Sequence, residues 1–290
     1  MRRLSDAALD ALLAQDAPLG DLTTTVLGIA PAPGRITFAA RGDMVLAGVE
    51  EAARLLERVG AVARPLAASG DRVAAGTMFL EGKGPAEALH LAWKVSQTLV
   101  EYMSGIATRA RRIVDAARAV NPAVVVACTR KNFPGTKEAS VRAVLAGGAS
   151  MHRLGLSETL LVFAEHRAFL PADRDWIASI KAHAPERKLV VEVSGVDEAV
   201  ALVRAGAEVV QLEKLSPAEV RAVVEAVGGL TPPPVIAAAG GVNEDNAAAY
   251  AATGCAVLVT SAPYFGKPAD VKVMLGPVEP CLLRHARPGT

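Results

Sequence analysis

The sequence predicts an α/β protein: a parallel α/β barrel, smaller or more open than the eight-stranded form, behind a separate domain of short strands and one long helix. Three observations carry this expectation. Beyond residue 120, six short apolar runs alternate with helical segments, an order that demands a parallel sheet with right-handed crossovers. Their spacing is regular, with no break where strand order would reverse, which favours a closed or nearly closed barrel over a doubly wound sheet. Before residue 104 the strands are instead short and turned by glycines.

Taken in order, residues 4–14 place leucines and alanines at helical spacing after Ser5-Asp6, a capping pair. Residues 16–27, DAPLGDLTTTVL, read as a turn carrying two acids and three threonines. Residues 35–39 alternate as a strand, and Gly42-Asp43 turns the chain into residues 44–47. A short amphipathic helix is expected over 49–59, then a second set of short strands over 65–84. Within that set GDRVAAGTMFLEGKG resembles the hairpins of biotinyl and lipoyl carrier domains, with Lys83 as its only lysine. A glycine-turned sandwich accounts for the same pattern without any modification. Residues 86–120 form a long helical pattern in which Ser104-Gly105 allows close packing or a bend, and the domain boundary falls near that pair. Strands follow at 124–127, 159–163, 189–193, 209–212, 235–238 and 257–260, with helices at 137–146, 197–204, 217–227 and 244–252. After Val273 the chain turns polar and proline-rich, and its last residues are expected to be loosely held.

With 290 residues, 51% hydrophobic and 21% charged, the chain has ample apolar material for a large core. A net charge of +1 argues against nucleic acid or an anionic membrane as the main partner, so any anion recognition is local and the partners are small molecules. Cys128, Cys255 and Cys281 are odd in number and lack metal-ligand spacing, as expected of free thiols in a reducing compartment. The N-terminal stretch is broken by Asp6, Asp10 and Asp16, and no run reaches membrane-spanning length, so a cytoplasmic protein is expected.

The densest chemistry lies in residues 127–161, where Arg130, Lys131, Lys137, Arg142, His152 and Arg153 follow or precede apolar strands. Cations at the carboxyl end of a parallel strand are where α/β proteins bind anions. The ends of the later strands add Phe163, Glu192, Glu213, Gly240-Gly241 and Thr260-Ser261. Together they predict a mouth with cations from the early strands and carboxylates from the middle ones. The Gly-Gly pair, set before a helix expected to begin near Asn243, suits a phosphate. Alternation alone leaves open whether Glu192 and Glu213 face the mouth or pair with core arginines. Two acids on adjacent strands could hold ribose hydroxyls, or Mg²⁺ through water. His166 reads as a loop residue, and no catalytic triad, zinc spacing or complete nucleotide-binding glycine motif is present.

TRKNFPGTK, AGGASMHRLGLSE, the VEV strand, AAGGV with Asn246 following, and the early DLTT turn together resemble the quinolinate phosphoribosyltransferase family over nearly the whole chain. The resemblance implies an N-terminal α/β sandwich, residues 1–108 joined by 271–290, on an incomplete six- or seven-stranded α/β barrel, residues 109–270. It also implies homodimers whose sites borrow from the neighbour, and transfer of phosphoribosyl from 5-phosphoribosyl-1-diphosphate (PRPP), with Mg²⁺, to an aromatic nitrogen acceptor. By the same resemblance Arg130, His152 and Arg153 bind the acceptor, Lys131, Glu192 and Glu213 are catalytic, and Lys137, Gly240, Gly241, Thr260 and Ser261 bind phosphate. No side chain is expected to ligate the metal directly; Mg²⁺ would be held through PRPP and water near Glu192 and Glu213.

Some positions depart from the family pattern. Phe163 stands where the family has a lysine for the quinolinate carboxylates, Lys94 where it offers an arginine across the dimer, and Glu213 where it has aspartate. With WKVSQ and VTSAPY, these substitutions are similar to the ModD branch, encoded with molybdate-uptake genes. Losing a cation at Phe163 forfeits a charge-assisted contact of about 1.5–3 kcal/mol to a dicarboxylate, so the expected acceptor is less anionic than quinolinate. The alternative expectation is an accessory protein of molybdate uptake that binds an oxyanion in the same basic mouth.

Overall fold

The computed structural model describes residues 3–171 and 175–278; Cys281 and the tail beyond residue 278 lie outside them. The N-terminal domain begins with α1 (Asp6–Asp16), capped by Ser5, whose hydroxyl accepts the Ala8 amide at 3.2 Å. The DLTT segment is not a plain turn: Asp21 caps a short helix, α2 (Leu22–Val26), accepting from the Thr23 amide and the Thr24 hydroxyl. Next come β1 (Pro33–Ala40), β2 (Met44–Val45), α3 (Val49–Arg58), β3 (Val62–Pro65), β4 (Arg72–Val73) and β5 (Met78–Pro85). Lys83 lies inside β5, between Arg35 of β1 and Val62 of β3, instead of at a hairpin tip, so a carrier lysine is not presented.

The 33-residue α4 (Ala86–Arg118), about 50 Å long, serves both domains. Its first half packs Leu89, Ala92 and Val100 into the N-terminal core with Phe38 and Phe79. Its second half packs Ala110, Ile113, Val114 and Ala117 under the barrel. The Ser104-Gly105 pair causes close packing instead of a break. The Ser104 hydroxyl accepts the Ala47 amide at 3.0 Å, and a Cβ on Gly105 would meet the Lys267 carbonyl at 2.4 Å. A second tie joins the domains where Arg142 meets the fully buried Glu51 of α3 at 2.9 Å.

The remaining elements are β6 (Val125–Cys128), α5 (Lys137–Ala146), β7 (Ser150–Met151), β8 (Leu160–Val162), α6 (Ala164–Arg167), α7 (Trp176–His183), β9 (Leu189–Val193), α8 (Val196–Arg204), β10 (Val209–Glu213), α9 (Pro217–Val227), β11 (Val235–Ala239), α10 (Ala247–Ala251), β12 (Val257–Thr260), a 3₁₀ turn at Ala262–Phe265 and β13 (Val271–Pro277). Seven parallel strands run in the order β7-β6-β12-β11-β10-β9-β8. Following the chain, β6 to β12 circle round and β12 pairs back onto β6, but β7 and β8 do not pair. The barrel is therefore incomplete, with one seam. No helix crosses over at that seam, because residues 152–159 form turns. The seventh strand is the two-residue β7, too short to leave an apolar run. Val273 lies inside a strand, β13, which pairs antiparallel with β1 from Val271 to Pro277; the last residues, expected to be loosely held, lie outside the described ones.

Helix α10 also differs from expectation, starting at Ala247 and not near Asn243. Residues 243–246 fold on themselves instead, with the Asn243 amide donating to the Asn246 side chain at 2.8 Å. No helix among the described residues is long and apolar enough to cross a membrane.

Candidate active site

Strand alternation separates two environments. Cys128, Val162, Val191, Val193, Leu212 and Leu258 point outward into the core beneath the helices. The intervening positions point inward, where Ala237, Ala239 and Val259 fill the barrel with small side chains. At the carboxyl ends the inward set becomes functional: Thr129, Phe163, Glu192, Gln211, Glu213 and Ser261 line a cavity of about 670 Å³. The ambiguity over the two acids is thus resolved by the pleat, since Glu192 and Glu213 both face the mouth.

On one side of the mouth stand the cations. Arg130 and Lys131 follow β6, and His152 and Arg153 follow β7; all four line the cavity. Arg153 is only 7% exposed. Burial, and then the charge of Arg130, push its guanidinium below the ordinary arginine value. Burial, followed by Arg153, also lowers the His152 pKa, so His152 offers a neutral imidazole at neutral pH instead of a fourth charge.

Opposite stand the acids. Register sets Gln211 of β10 beside Glu192 of β9, and the Gln211 amide donates to Glu192 Oε2 at 2.5 Å. Burial first, then the charge of Glu213, raise the Glu192 pKa; the Gln211 contact and Lys131 pull the other way. Sharing the mouth with a second carboxylate thus makes Glu192 hold its proton more tightly.

Gly240 and Gly241 take left-handed backbone conformations, φ +85° and +98°. A Cβ on Gly240 would lie 2.6 Å from Lys214 and 2.9 Å from the Glu213 carboxylate, so glycine is required for the loop to pass there. Gly241 also lines the cavity and has open space at its Cβ position. Its carbonyl accepts from Asn243 at 3.2 Å and from Asn246 at 3.0 Å. The phosphate-style loop is present, but as a turn and not as the start of a helix.

Two expected site residues fall elsewhere, and a third has its hydroxyl engaged by the backbone. Lys94 lies against the Trp93 ring, 4.3 Å from its centroid, and lines a separate surface groove with Leu12 and Tyr102. Lys137 is the exposed first residue of α5 and does not line the cavity. Thr260 borders the cavity, but its hydroxyl donates to the Val242 carbonyl at 2.5 Å and accepts the Ala262 amide at 3.0 Å. Its proton is committed to holding the Gly-Gly loop against β12, so it is not a free phosphate donor. Ser261 does reach the cavity, hydrogen-bonded to Thr129 at 2.7 Å.

Arg109 and Gln211 belong to the mouth and were not anticipated. Arg109 arrives from α4 and pairs with Glu244 at 2.9 Å; nothing near it in sequence marks it. Gln211 had a signal, a polar residue two before Glu213 inside an apolar strand. The Phe163 ring, half-buried outside the main core, stacks on His166 at 5.6 Å and lies 5.8 Å from the Arg153 guanidinium carbon. His166 itself accepts the Phe163 amide through Nδ1 at 3.0 Å, a capping role. Burial pushes the Cys128 thiol up to about 12, which leaves it unreactive.

The chain is similar to known proteins. The family model described as "Quinolinate phosphoribosyl transferase, C-terminal domain" matches residues 106–274, and its N-terminal counterpart matches residues 21–104. A protein of Rhodobacter capsulatus named "Putative pyrophosphorylase ModD" is 54% identical over 227 residues, 78% of this chain and 88% of the relative. The "Probable nicotinate-nucleotide pyrophosphorylase (carboxylating)" of Methanothermobacter thermautotrophicus is 30% identical, covering 85% of this chain and 90% of its own. The crystal structure of NadC from Streptococcus pyogenes superposes with a TM-score of 0.87 at 22% identity, over 96% of this chain and all of that one.

Proposed function

Because the chain belongs to the quinolinate phosphoribosyl transferase family, we propose that it transfers phosphoribosyl from PRPP to an aromatic nitrogen acceptor less anionic than quinolinate. The observation that carries this reading is the division of one mouth into a cationic and an acidic side. The C1–O bond of PRPP breaks with its electron pair leaving on diphosphate, and the acceptor nitrogen lone pair forms the new bond at C1. Positive charge develops on the ribose ring, so placement and electrostatics dominate the rate.

Arg130 and Arg153 hold the acceptor carboxylate, with His152 as a neutral hydrogen-bonding partner. Lys131 meets the departing diphosphate. Glu192 and Glu213 receive the ribose hydroxyls and face the developing positive charge. Gly240 and Gly241 allow the loop backbone to approach the 5-phosphate, beside Ser261. Phe163 replaces a cation with an apolar ring, which disfavours a second acceptor carboxylate.

The two carboxylates of the mouth, Glu192 and Glu213, are oxygen donors of the kind that would hold Mg²⁺ through water beside the diphosphate. Bound there, Mg²⁺ would supply neutralisation of the diphosphate charge.

Lys94 stands outside its own chain's mouth, so its part in acceptor binding requires a homodimer in which it reaches the neighbour's site. Mixing inactive Lys94→Ala and Arg130→Ala proteins then restores part of the activity, and a monomer with no recovery contradicts the shared site. The function itself is tested by incubating the protein with PRPP, Mg²⁺ and a set of pyridine, pyrimidine and pterin carboxylates. Acceptor-dependent diphosphate release supports it; release with none of them refutes it.

A further inference from the structure

Beside the mouth lies a second cavity of about 590 Å³, and four residues line both: Arg130, Arg153, Leu161 and Phe163. Its position follows from the seam in the barrel. Strand β8 has β9 as its one sheet neighbour among the described residues. Within a barrel wall, residues of alternate parity reach opposite faces. Here Leu160 and Val162 line the same cavity as Leu161 and Phe163, as a free strand edge allows. No crossover helix covers that edge, because the chain between β7 and β8 forms turns.

The floor of the cavity is apolar, built by Leu170, Trp176 and Ile180. His166 and Ser179 also line the cavity, and the Thr159 hydroxyl oxygen is buried with no hydrogen-bond partner among the described residues. A buried hydroxyl without a partner is costly and is commonly satisfied by a ligand or water. The two arginines stand at the junction of the cavities, where a carboxylate bound by them would lie with one side toward the acids and the other toward the apolar floor.

We propose that this side cavity is a specificity pocket for an apolar substituent on the acceptor, so that the acceptor class is an aromatic carboxylate carrying an extended hydrophobic group. This rests on the transferase reading given above. The arginines anchor the carboxylate, Phe163 packs against the ring, and the substituent passes the seam to lie against Leu170, Trp176 and Ile180.

Trp176 supplies a readout independent of turnover. The other tryptophan, Trp93, packs against the N-terminal core, so a Trp93→Phe protein reports on the side cavity alone. Titrated with nicotinate and with a butyl-substituted pyridine carboxylate, this protein is expected to bind the substituted compound at least about tenfold more tightly, because each buried methylene contributes about fourfold. Trp176 fluorescence should change with the substituted compound only. Leu170→Tyr, or Ile180→Phe if the first variant folds poorly, should remove that preference while leaving nicotinate binding within about threefold. Equal binding of the two compounds, or a preference that survives filling the cavity, overturns the inference. Diphosphate release is measured in parallel with PRPP and Mg²⁺. Binding with a Trp176 response but no release leaves the pocket standing and refutes the transferase reading. Release at equal kcat/KM for both compounds refutes the pocket and leaves the transferase reading standing.

Discussion

The two sides of the mouth are built differently. The acidic side stands on β9 and β10, strands paired on both edges, with Glu192 locked to Gln211 by register. The cationic side stands on loops after β6 and the two-residue β7, next to the open seam. A rigid acidic wall thus faces a cationic wall whose neighbour strand is missing. On the proposed reading, groups that would meet the same sugar in every turnover sit where the backbone is fixed, and groups that would meet the acceptor sit where loops and the seam permit variation. Phe163, at the end of β8, stands at the border between them.

The largest expected effect comes from removing cations. Arg153→Ala is predicted to lower kcat/KM for diphosphate release by about one to two decades, the value of one charge-assisted contact. The Arg130→Ala, Arg153→Ala double variant should lose about three decades or more. A double variant no worse than either single one would show that the cationic wall does not act as a clamp.

On the acidic wall, Glu192→Gln preserves shape and should reduce the rate by about two decades while raising the melting temperature at neutral pH. The sign follows from linkage. The folded pKa of Glu192 is raised, so the folded state holds the proton more tightly than the unfolded state. Stability therefore falls as pH rises from the ordinary glutamate value through the raised one. The glutamine variant escapes that loss, and its stabilisation should disappear toward pH 4. Thermal melts across pH 4–8 test this; a variant less stable than the parent at pH 7.5 would mean that the carboxylate pair is not strained.

At the border, Phe163→Lys should raise kcat/KM for quinolinate by one to two decades and lower it for monocarboxylate acceptors. A folded variant with unchanged acceptor preference would remove Phe163 as the determinant.

Legibility in the sequence followed the same division. The strands of the acidic wall are continuous apolar runs, and their expected limits fall within one residue of those observed: 189–193 against Leu189–Val193, 209–212 against Val209–Glu213. The cationic wall was legible as residue types but not as architecture. Ser150-Met151 carries no apolar run, so β7 and the seam beside it leave no periodic signal. Which way Glu192 faced could not be read because every neighbour in VVEVS is compatible with either face; pairing with Gln211 decides it. Arg109 was hidden because α4 reads as one long amphipathic helix, and only its packing across the barrel brings that position to the mouth. The commitment of Thr260 to Val242, and the position of Lys94, are likewise tertiary facts.

The central claim is that the opposed walls serve a ribosyl diphosphate rather than a simple oxyanion. Titration calorimetry of the full chain with PRPP plus Mg²⁺, and separately with molybdate, tests it most directly. The account predicts saturable binding of PRPP that weakens at least about tenfold in Glu192→Gln and in Lys131→Ala, with no comparable binding of molybdate. Binding of molybdate alone, insensitive to Glu192→Gln, would contradict it.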